Sequence, residues 1–175
     1  DNNVYDHSGY GHHGYCPPDS TLYTFEGCPA TIPGIRGNAK GSTKADTKSQ
    51  HFDVQPSSDF ALTTFSIRGW VNVYGQNDPL DAQRVIFKYS DSKLETTAFG
   101  LHGSDGSSKT IAMDCRFGHW SNRQAVKLDI PYQEWHYYAC TYNDATNELA
   151  FYTDILPTSC QNQGGTIVGG TLCKK

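Results

Sequence analysis

From residue 50 onward, apolar and polar residues alternate in short segments that recur roughly every ten residues. Alternation with a period of two places successive side chains on opposite faces of a β-strand. Regular short strands separated by turn residues favour an antiparallel sandwich or jelly roll over a parallel α/β fold. The predicted strands are Gln50–Val54, Thr64–Tyr74, Arg84–Tyr89, Ala98–His102, Thr110–Phe117, Ala125–Ile130, Glu134–Tyr142, Glu148–Thr153 and Gly165–Val168.

The composition agrees with an all-β protein. Eleven Tyr, eight Phe, three Trp and 17 Gly stand beside a single Met, which is typical of strands joined by Gly-rich turns. A chain of 175 residues buries one core and needs no second domain, so we expect a single domain over residues 1–175. Residues 1–48 are predicted to be loop-like, because Gly, Pro, Ser, Asn and Asp interrupt every apolar run.

Charge and hydropathy argue against two classes of protein. The formal net charge of -4 lacks the basic excess with which proteins bind a phosphate backbone, so no nucleic-acid partner is expected. No apolar run approaches the ~20 residues of a membrane helix, and the mean hydropathy is -0.59. We therefore expect no membrane span.

Six cysteines form an even set of three sequence-local pairs without any C-x-x-C spacing, which favours disulfides over zinc. Disulfides indicate an oxidising compartment, so we expect a secreted, extracellular protein; free buried thiols in a cytosolic protein are the alternative. Many connectivities are open to six cysteines. The simplest joins Cys16 to Cys28, Cys115 to Cys140, and Cys160 to Cys173.

Three segments resemble a known family. Residues 6–14, Asp-His-Ser-Gly-Tyr-Gly-His-His-Gly, match the opening D-x-S-G-x-G-x-H-G of laminin-G-like domains. Residues 65–71 resemble that family's F-T-I-S-x-W-V strand, and residues 134–142 its x-W-H-H-V-A-V-T-Y strand. The resemblance implies an antiparallel, concanavalin A-like jelly-roll sandwich, a fold shared by lectins, adhesion modules and polysaccharide-active enzymes.

Two departures from the family pattern matter. Residues 44–52 stand where the family has an F-D-G-x-D-D-Y segment, so no role of those acidic residues carries over. The chain also stops soon after residues 167–170, Ile-Val-Gly-Gly, where the family continues with two strands. The resemblance then implies a sandwich without its last strands: either the local topology differs, or strand donation or self-assembly completes an open sheet edge. The terminal Lys174-Lys175 fits either proteolytic trimming or a solvated end.

Alternation separates the core side chains of each strand from the solvent-facing ones. The inward set contains Phe65, Ile67, Gly69, Val71, Val73, Ile111, Met113, Cys115, Phe117, Leu149 and Phe151. The family pattern adds Tyr138, Cys140 and Tyr142 to the inward set, with Trp135, Tyr137 and Thr141 outward. Cys115 and Cys140 both fall inside, which supports their pairing, although two buried thiols would satisfy the same pattern.

The outward faces carry flat aromatic rings beside planar hydrogen-bonding groups, and we expect such a surface to bind a glycan. Sugar rings offer an apolar C–H face for stacking and hydroxyls for paired hydrogen bonds. The candidate ligand-binding residues are Arg68, Trp70, Asn72, Asp114, Arg116, Tyr137 and Tyr152. The alternatives are a Trp covered by a long loop and an Asp–Arg ion pair across strands.

A second candidate is the loop after the Thr110–Phe117 strand. It contains His119 and Trp120, followed by Asn122 and Arg123. Trp120 either stacks on a sugar ring or folds back as a lid on the sandwich.

Calcium is the one cofactor that the sequence suggests, without making it certain. Residues 77–81 and the Asn143–Asn147 segment offer oxygen ligands, but no D-x-D-x-D loop is present and both also fit ordinary turns. His12 and His13 suggest no more than adventitious metal binding.

A catalytic role has little support in the sequence. A glycosidase needs two carboxyl groups, and Asp114 is the only acidic residue that we place on the candidate binding surface with an arginine neighbour. A lyase could in principle use Tyr137, Tyr152 or His102 with an arginine, but no lyase motif is present.

The sequence thus favours a non-catalytic extracellular carbohydrate-binding or adhesion module, with a glycan or an extracellular protein as partner. The alternative is a structural subunit of an extracellular assembly, docked through an incomplete sheet edge. A polysaccharide lyase or glycosidase comes third.

Overall fold

A computed structural model describes residues 4–16, 28–41, 52–55, 57–60, 62–73, 83–88, 98–105, 110–118, 124–131 and 133–175. The described chain is mostly β-strand with one short helix, so the all-β prediction is confirmed. It consists of two compact units, Asp1–Ala61 and Leu62–Lys175. That both act together as one domain stays a prediction.

The described residues of the first unit form four short strands and one turn of 3-10 helix. Antiparallel pairs form between the first and fourth strands and between the second and third. The strands are β1 (Gly14–Tyr15), β2 (Ala30–Pro33), β3 (Asn38–Gly41) and β4 (Asp53–Val54), and the 3-10 turn is Ser58–Phe60. The loop prediction for residues 1–48 is therefore wrong at β1, β2 and β3. The β2–β3 hairpin lacks alternation, and Gly37, at φ 75°, supplies the left-handed residue in its turn.

The Asp6 carboxylate organises the loop between Val4 and Gly14. It accepts hydrogen bonds from the backbone N–H of Ser8 at 2.7 Å and of His12 at 3.0 Å. Hydrogen bonds from the Ser8 side chain and backbone, and then from the His12 backbone, lower the pKa of Asp6 to about 2. The residues of the D-x-S-G motif thus form a loop held by one ionised side chain.

The second unit contains two antiparallel sheets. Its described elements are β5 (Phe65–Asn72), β6 (Gln83–Lys88), β7 (Ala98–Asp105), β8 (Thr110–Gly118), β9 (Gln124–Pro131), β10 (Trp135–Asn143), β11 (Glu148–Thr153), α1 (Pro157–Asn162), β12 (Thr166–Val168) and β13 (Leu172–Lys174). Within the described residues, the strand orders of the two sheets are β12-β13-β11-β10-β5 and β6-β7-β8-β9. Each predicted strand of this unit is present, with ends that differ by at most three residues.

The two sheets pack face to face and enclose one apolar core. Burying a side chain such as Phe151 or Met113, both fully shielded from solvent, contributes about 1.5–3 kcal/mol. Inward side chains of six strands (β5, β8, β9, β10, β11 and β13) and of α1 form this core together with two residues that follow strands. The core residues are Phe65, Val71, Val73, Met113, Cys115, Leu128, Ile130, Tyr138, Cys140, Tyr142, Phe151, Ile155, Cys160 and Cys173. The predicted inward set is confirmed wherever the structure describes its side chains.

All three predicted disulfides are present, with 5.5 Å between the Cα atoms of each pair. Cys115–Cys140 crosses the core from β8 to β10, so it ties the two sheets together. Three disulfides are typical of extracellular proteins.

The chain after β11 contains elements that the sequence did not predict. Helix α1 begins at Pro157, where the missing N–H costs no hydrogen bond because the first N–H groups of a helix have no partner within it. Gly164, at φ 74°, follows the end of the helix. Cys160 of α1 is bonded to Cys173 of β13, which lies between β11 and β12. The sheet therefore continues beyond the last strand that alternation predicted.

Gln163, just after α1, protects the edge strand β9. Its Oε1 accepts the backbone N–H of Asp129 at 2.6 Å, and its Nε2 donates to the Asp129 carbonyl at 3.2 Å. One side-chain amide thus satisfies the two backbone groups that a neighbouring strand would otherwise bind.

We expect Gln163→Glu to lower the free energy of unfolding by about 1–3 kcal/mol, because a carboxylate cannot donate to the Asp129 carbonyl. Urea denaturation of the oxidised protein measures this change. Gln161→Glu is the control, since Gln161 is exposed on the same helix and the charge change is identical. Equal losses in the two variants would show that charge and not the bidentate contact is responsible.

The Asp6 loop should depend on pH at the acid end. A carboxylate with a lowered pKa stabilises the folded loop above its unfolded pKa, and this contribution is lost as pH falls from about 4 to about 2. NMR titration should therefore show the Ser8 and His12 amide shifts changing together with the Asp6 carboxyl shift, with a midpoint near 2. In Asp6→Asn these amide shifts should stay flat over that range. A midpoint near the ordinary value of 3.8 would contradict the assignment.

Candidate functional site

The outward side of β5, β10 and β11 carries the exposed Trp70 and the partly buried Tyr137 and Tyr152, and we call it the aromatic face. Its predicted site residues are Arg68, Trp70, Asn72, Tyr137 and Tyr152. Trp70 is 40% exposed although it lies within a regular strand. The Trp70 and Tyr137 rings meet edge to face, with 5.7 Å between centroids and 70° between planes. The β5–β10 register sets this contact, because it pairs the two residues directly.

Arg68 lies beside this pair. It is exposed and lies two residues before Trp70 on the same side of β5. Across the sheet it faces Ala139, and Ala139 in turn faces Tyr152. Ala139 itself is buried, at 9% exposure. In the described part of the chain no carboxylate pairs with Arg68, so its guanidinium can donate to a ligand.

Lys174 belongs to the same face, and sequence reasoning missed it. Its Nζ lies 5.9 Å from the centroid of the Tyr152 ring and 2.7 Å from Glu148 Oε1. The Glu148 hydrogen bond raises the pKa of Lys174. Lys174 thus holds Tyr152 in position while Glu148 balances its charge. Only the unpredicted strand β13 brings Lys174 next to Tyr152.

Asn72 and Trp135 lie at the end of the aromatic face. They are paired across β5 and β10, and both are partly buried. The Asn72 Oδ1 is shielded from solvent and has no hydrogen-bond partner among the described residues. Trp135 points outward as predicted, although the predicted site did not include it. Asn72 therefore borders the exposed surface and does not lie at its centre.

Asp114 and Arg116 belong to β8, in the other sheet, so the structure does not bring them to the aromatic face. Asp114 is only 5% exposed, which corrects the expectation of a solvent-facing carboxylate. Ala112, on the same side of β8, is fully buried as well, so this strand is covered on both sides. Alternation alone could not show that the side of β8 carrying Ala112 and Asp114 is shielded from solvent. The structure describes the backbone of Arg116 but not its side chain.

Several candidates fall outside the described residues. They are His119 and Trp120 with the neighbouring Asn122 and Arg123, and the Asn77–Asp81 segment. For His102 only the backbone, in β7, is described.

The Asn143–Asn147 segment forms the β10–β11 hairpin turn, which confirms its interpretation as a turn. Asn143 Oδ1 accepts the Ala145 N–H at 3.0 Å, and Asn147 Oδ1 accepts from Gln124 Nε2 at 2.8 Å. These oxygens already serve the turn. The described residues hold no group of three His, Cys, Asp or Glu side chains placed to bind a metal ion.

The buried His136 pairs with the partly buried Asp154, and sequence reasoning also missed this pair. The imidazole Nδ1 lies 3.0 Å from Asp154 Oδ1, and Nε2 lies 3.7 Å from Glu134 Oε2. His136 is 7% exposed, and its position in β10 directs it inward, away from the aromatic face. Because Nε2 is shielded from solvent, this imidazole cannot reach a ligand on the outer surface.

Comparison with known proteins returned no matching family model, curated protein or solved structure. The resemblance to laminin-G-like domains therefore rests on the three sequence motifs. Among the described residues, no helix has the length and apolar character needed to cross a bilayer.

Proposed function

We propose that the protein is a secreted, non-catalytic carbohydrate-binding or adhesion module whose ligand site is the aromatic face. The observation that carries this proposal is the exposure of Trp70 on a rigid strand, next to Tyr137 and the exposed Arg68. A large exposed aromatic side chain held by regular backbone pairing is a preformed contact surface, which binds with little loss of conformational entropy.

The angle between the rings supports a sugar as ligand. Rings at 70° form a corner in which one face can stack against the apolar side of a pyranose while the other ring contacts its edge. Arg68, about two strand residues (~7 Å) along β5, is within reach of the hydroxyl or acidic groups of the same sugar. Tyr152, beyond Ala139, extends the surface to a neighbouring sugar unit.

Binding without turnover fits the Glu148 and Asp154 carboxylates better than catalysis does. Glu148 is engaged with Lys174, and Asp154 with His136. A glycosidase would need two carboxyl groups, one on each side of the scissile bond. A lyase or glycosidase activity therefore remains the weaker proposal.

The fold and disulfides support the remaining parts of this proposal. Two antiparallel sheets packed face to face are what a concanavalin A-like jelly roll requires, and three disulfides suit a secreted protein. We propose both on these grounds, together with the three sequence motifs.

The proposal is tested first on an array of neutral, sialylated and sulfated oligosaccharides, and then by calorimetric titration with any that bind. Trp70→Ala should weaken binding at least about tenfold, because it removes the stacking ring at the centre of the site. Trp70→Phe should retain most of the affinity, since it keeps a flat ring.

The control variant is Leu156→Ala, which trims another exposed apolar side chain, at the start of α1. It should bind as the wild type does. The proposal fails if no oligosaccharide on the array binds, or if Trp70→Ala binds as tightly as Leu156→Ala.

A further inference from the structure

The two edges of the five-stranded sheet differ in what they offer to another strand. On one side, β12 has only three residues. On the other, β5 has eight residues, and β10 is its one strand neighbour in the described chain. The four-stranded sheet protects its β9 edge with Gln163 and with Pro131, which has no N–H. Within the described part of the chain, no hydrogen bond occupies the outer backbone groups of β5, so among these edges it is the long and unprotected one.

The hydrogen bonds near the opposite edge of the sheet, between β11 and the chain end after β13, determine which N–H and C=O groups of β5 point away from β10. Phe151 and Lys175 exchange N–H···O bonds of 2.8 and 3.0 Å, so Phe151 of β11 faces β13. Its neighbours Ala150 and Tyr152 then face β10, where they pair with Thr141 and Ala139.

The same reasoning extends to β5. Tyr138 and Cys140 of β10 must face β5, where they pair with Gly69 and Ile67. The Val73 carbonyl, which accepts the Gln133 N–H at 2.8 Å, agrees with this direction. The N–H and C=O groups of the alternate residues therefore point away from β10, to the sheet edge. These residues are Ser66, Arg68, Trp70 and Asn72.

We infer that two copies of the chain associate through β5, antiparallel about a two-fold axis at Gly69. Arg68 of one copy then faces Trp70 of the other in a hydrogen-bonded pair, and the symmetry repeats this contact. Each guanidinium lies beside an indole on the same side of the joined sheet, in a cation–π arrangement. Ser66 faces Asn72 of the second copy, and Ile67 faces Val71.

The charge on β5 selects this register. The two strands form hydrogen bonds only when edge-facing residues of one copy pair with edge-facing residues of the other. The neighbouring registers that meet this condition have their two-fold axis at Arg68 or at Trp70. The first places two arginines opposite each other, which is destabilising. The second pairs Trp70 with Trp70 but leaves each Arg68 opposite Asn72, so it forms no cation–π pair. Pairing about Gly69 avoids the repulsion and gives two favourable contacts, so the strand is complementary to itself.

Association of this kind would join two five-stranded sheets into one of ten strands. Their aromatic faces would then lie side by side on one surface. The inference stands on the edge geometry of β5 and not on glycan binding.

Sedimentation velocity over a concentration series tests the inference on the wild-type protein, which should show reversible dimers. Trp70→Arg should weaken dimerisation at least about tenfold, because it places an arginine opposite Arg68 of the second copy. The double exchange Arg68→Trp with Trp70→Arg restores an Arg–Trp pair in this register alone, and it should recover dimerisation. A wild type that stays monomeric up to its solubility limit, or a double variant no better than Trp70→Arg, would overturn the inference.

A second test uses the backbone. Ser66→Pro removes an edge-facing N–H without removing a bond to β10, so circular dichroism should show a folded protein that no longer dimerises. Ser66→Ala keeps the N–H and should dimerise as the wild type does. Because Ser66 lies outside the proposed glycan site, monomeric Ser66→Pro should retain any glycan binding. A folded Ser66→Pro variant that still dimerises would contradict the inference.

Discussion

The disulfide between Cys115 and Cys140 joins two strands that lie inside different sheets. Both sulfur atoms are buried, so this bond requires that β8 and β10 present those residues to the same core. Because side chains alternate along a strand, the inward position of Cys140 also decides that Tyr137 points outward. The pairing of β10 with β5 then directs Trp70 to the same outer surface. The aromatic face thus depends on the core that lies beneath it.

Trp70 gives strand β5 two separate properties. Its ring belongs to the outer surface, where Tyr137 holds it, while its backbone N–H and C=O point to the sheet edge. A ligand stacked on the ring and a strand added at the edge would therefore meet at one residue.

The sheet edges differ in how well they are protected against pairing with another strand. Gln163 occupies the Asp129 backbone groups of β9, and the short strand β12 ends the other sheet. Such devices are the usual protection against unwanted strand pairing. Gln163 lies between Cys160 and Cys173, so the disulfide that attaches α1 to β13 also holds this protection in place.

Local patterns predicted the core and part of the site. Alternation placed Phe65, Met113 and Phe151 inward and Trp70 outward, since the direction of a side chain in a strand depends only on its position. Cysteine spacing indicated the three disulfides. Contacts between distant segments decided three features that local patterns could not predict. They are the burial of Asp114, the contact of Trp70 with Tyr137, and the position of β13, which brings Lys174 to Tyr152. The sequence determined which side chains could be buried, because alternation is local, whereas only the tertiary structure decided register and cover, because both depend on which strands become neighbours.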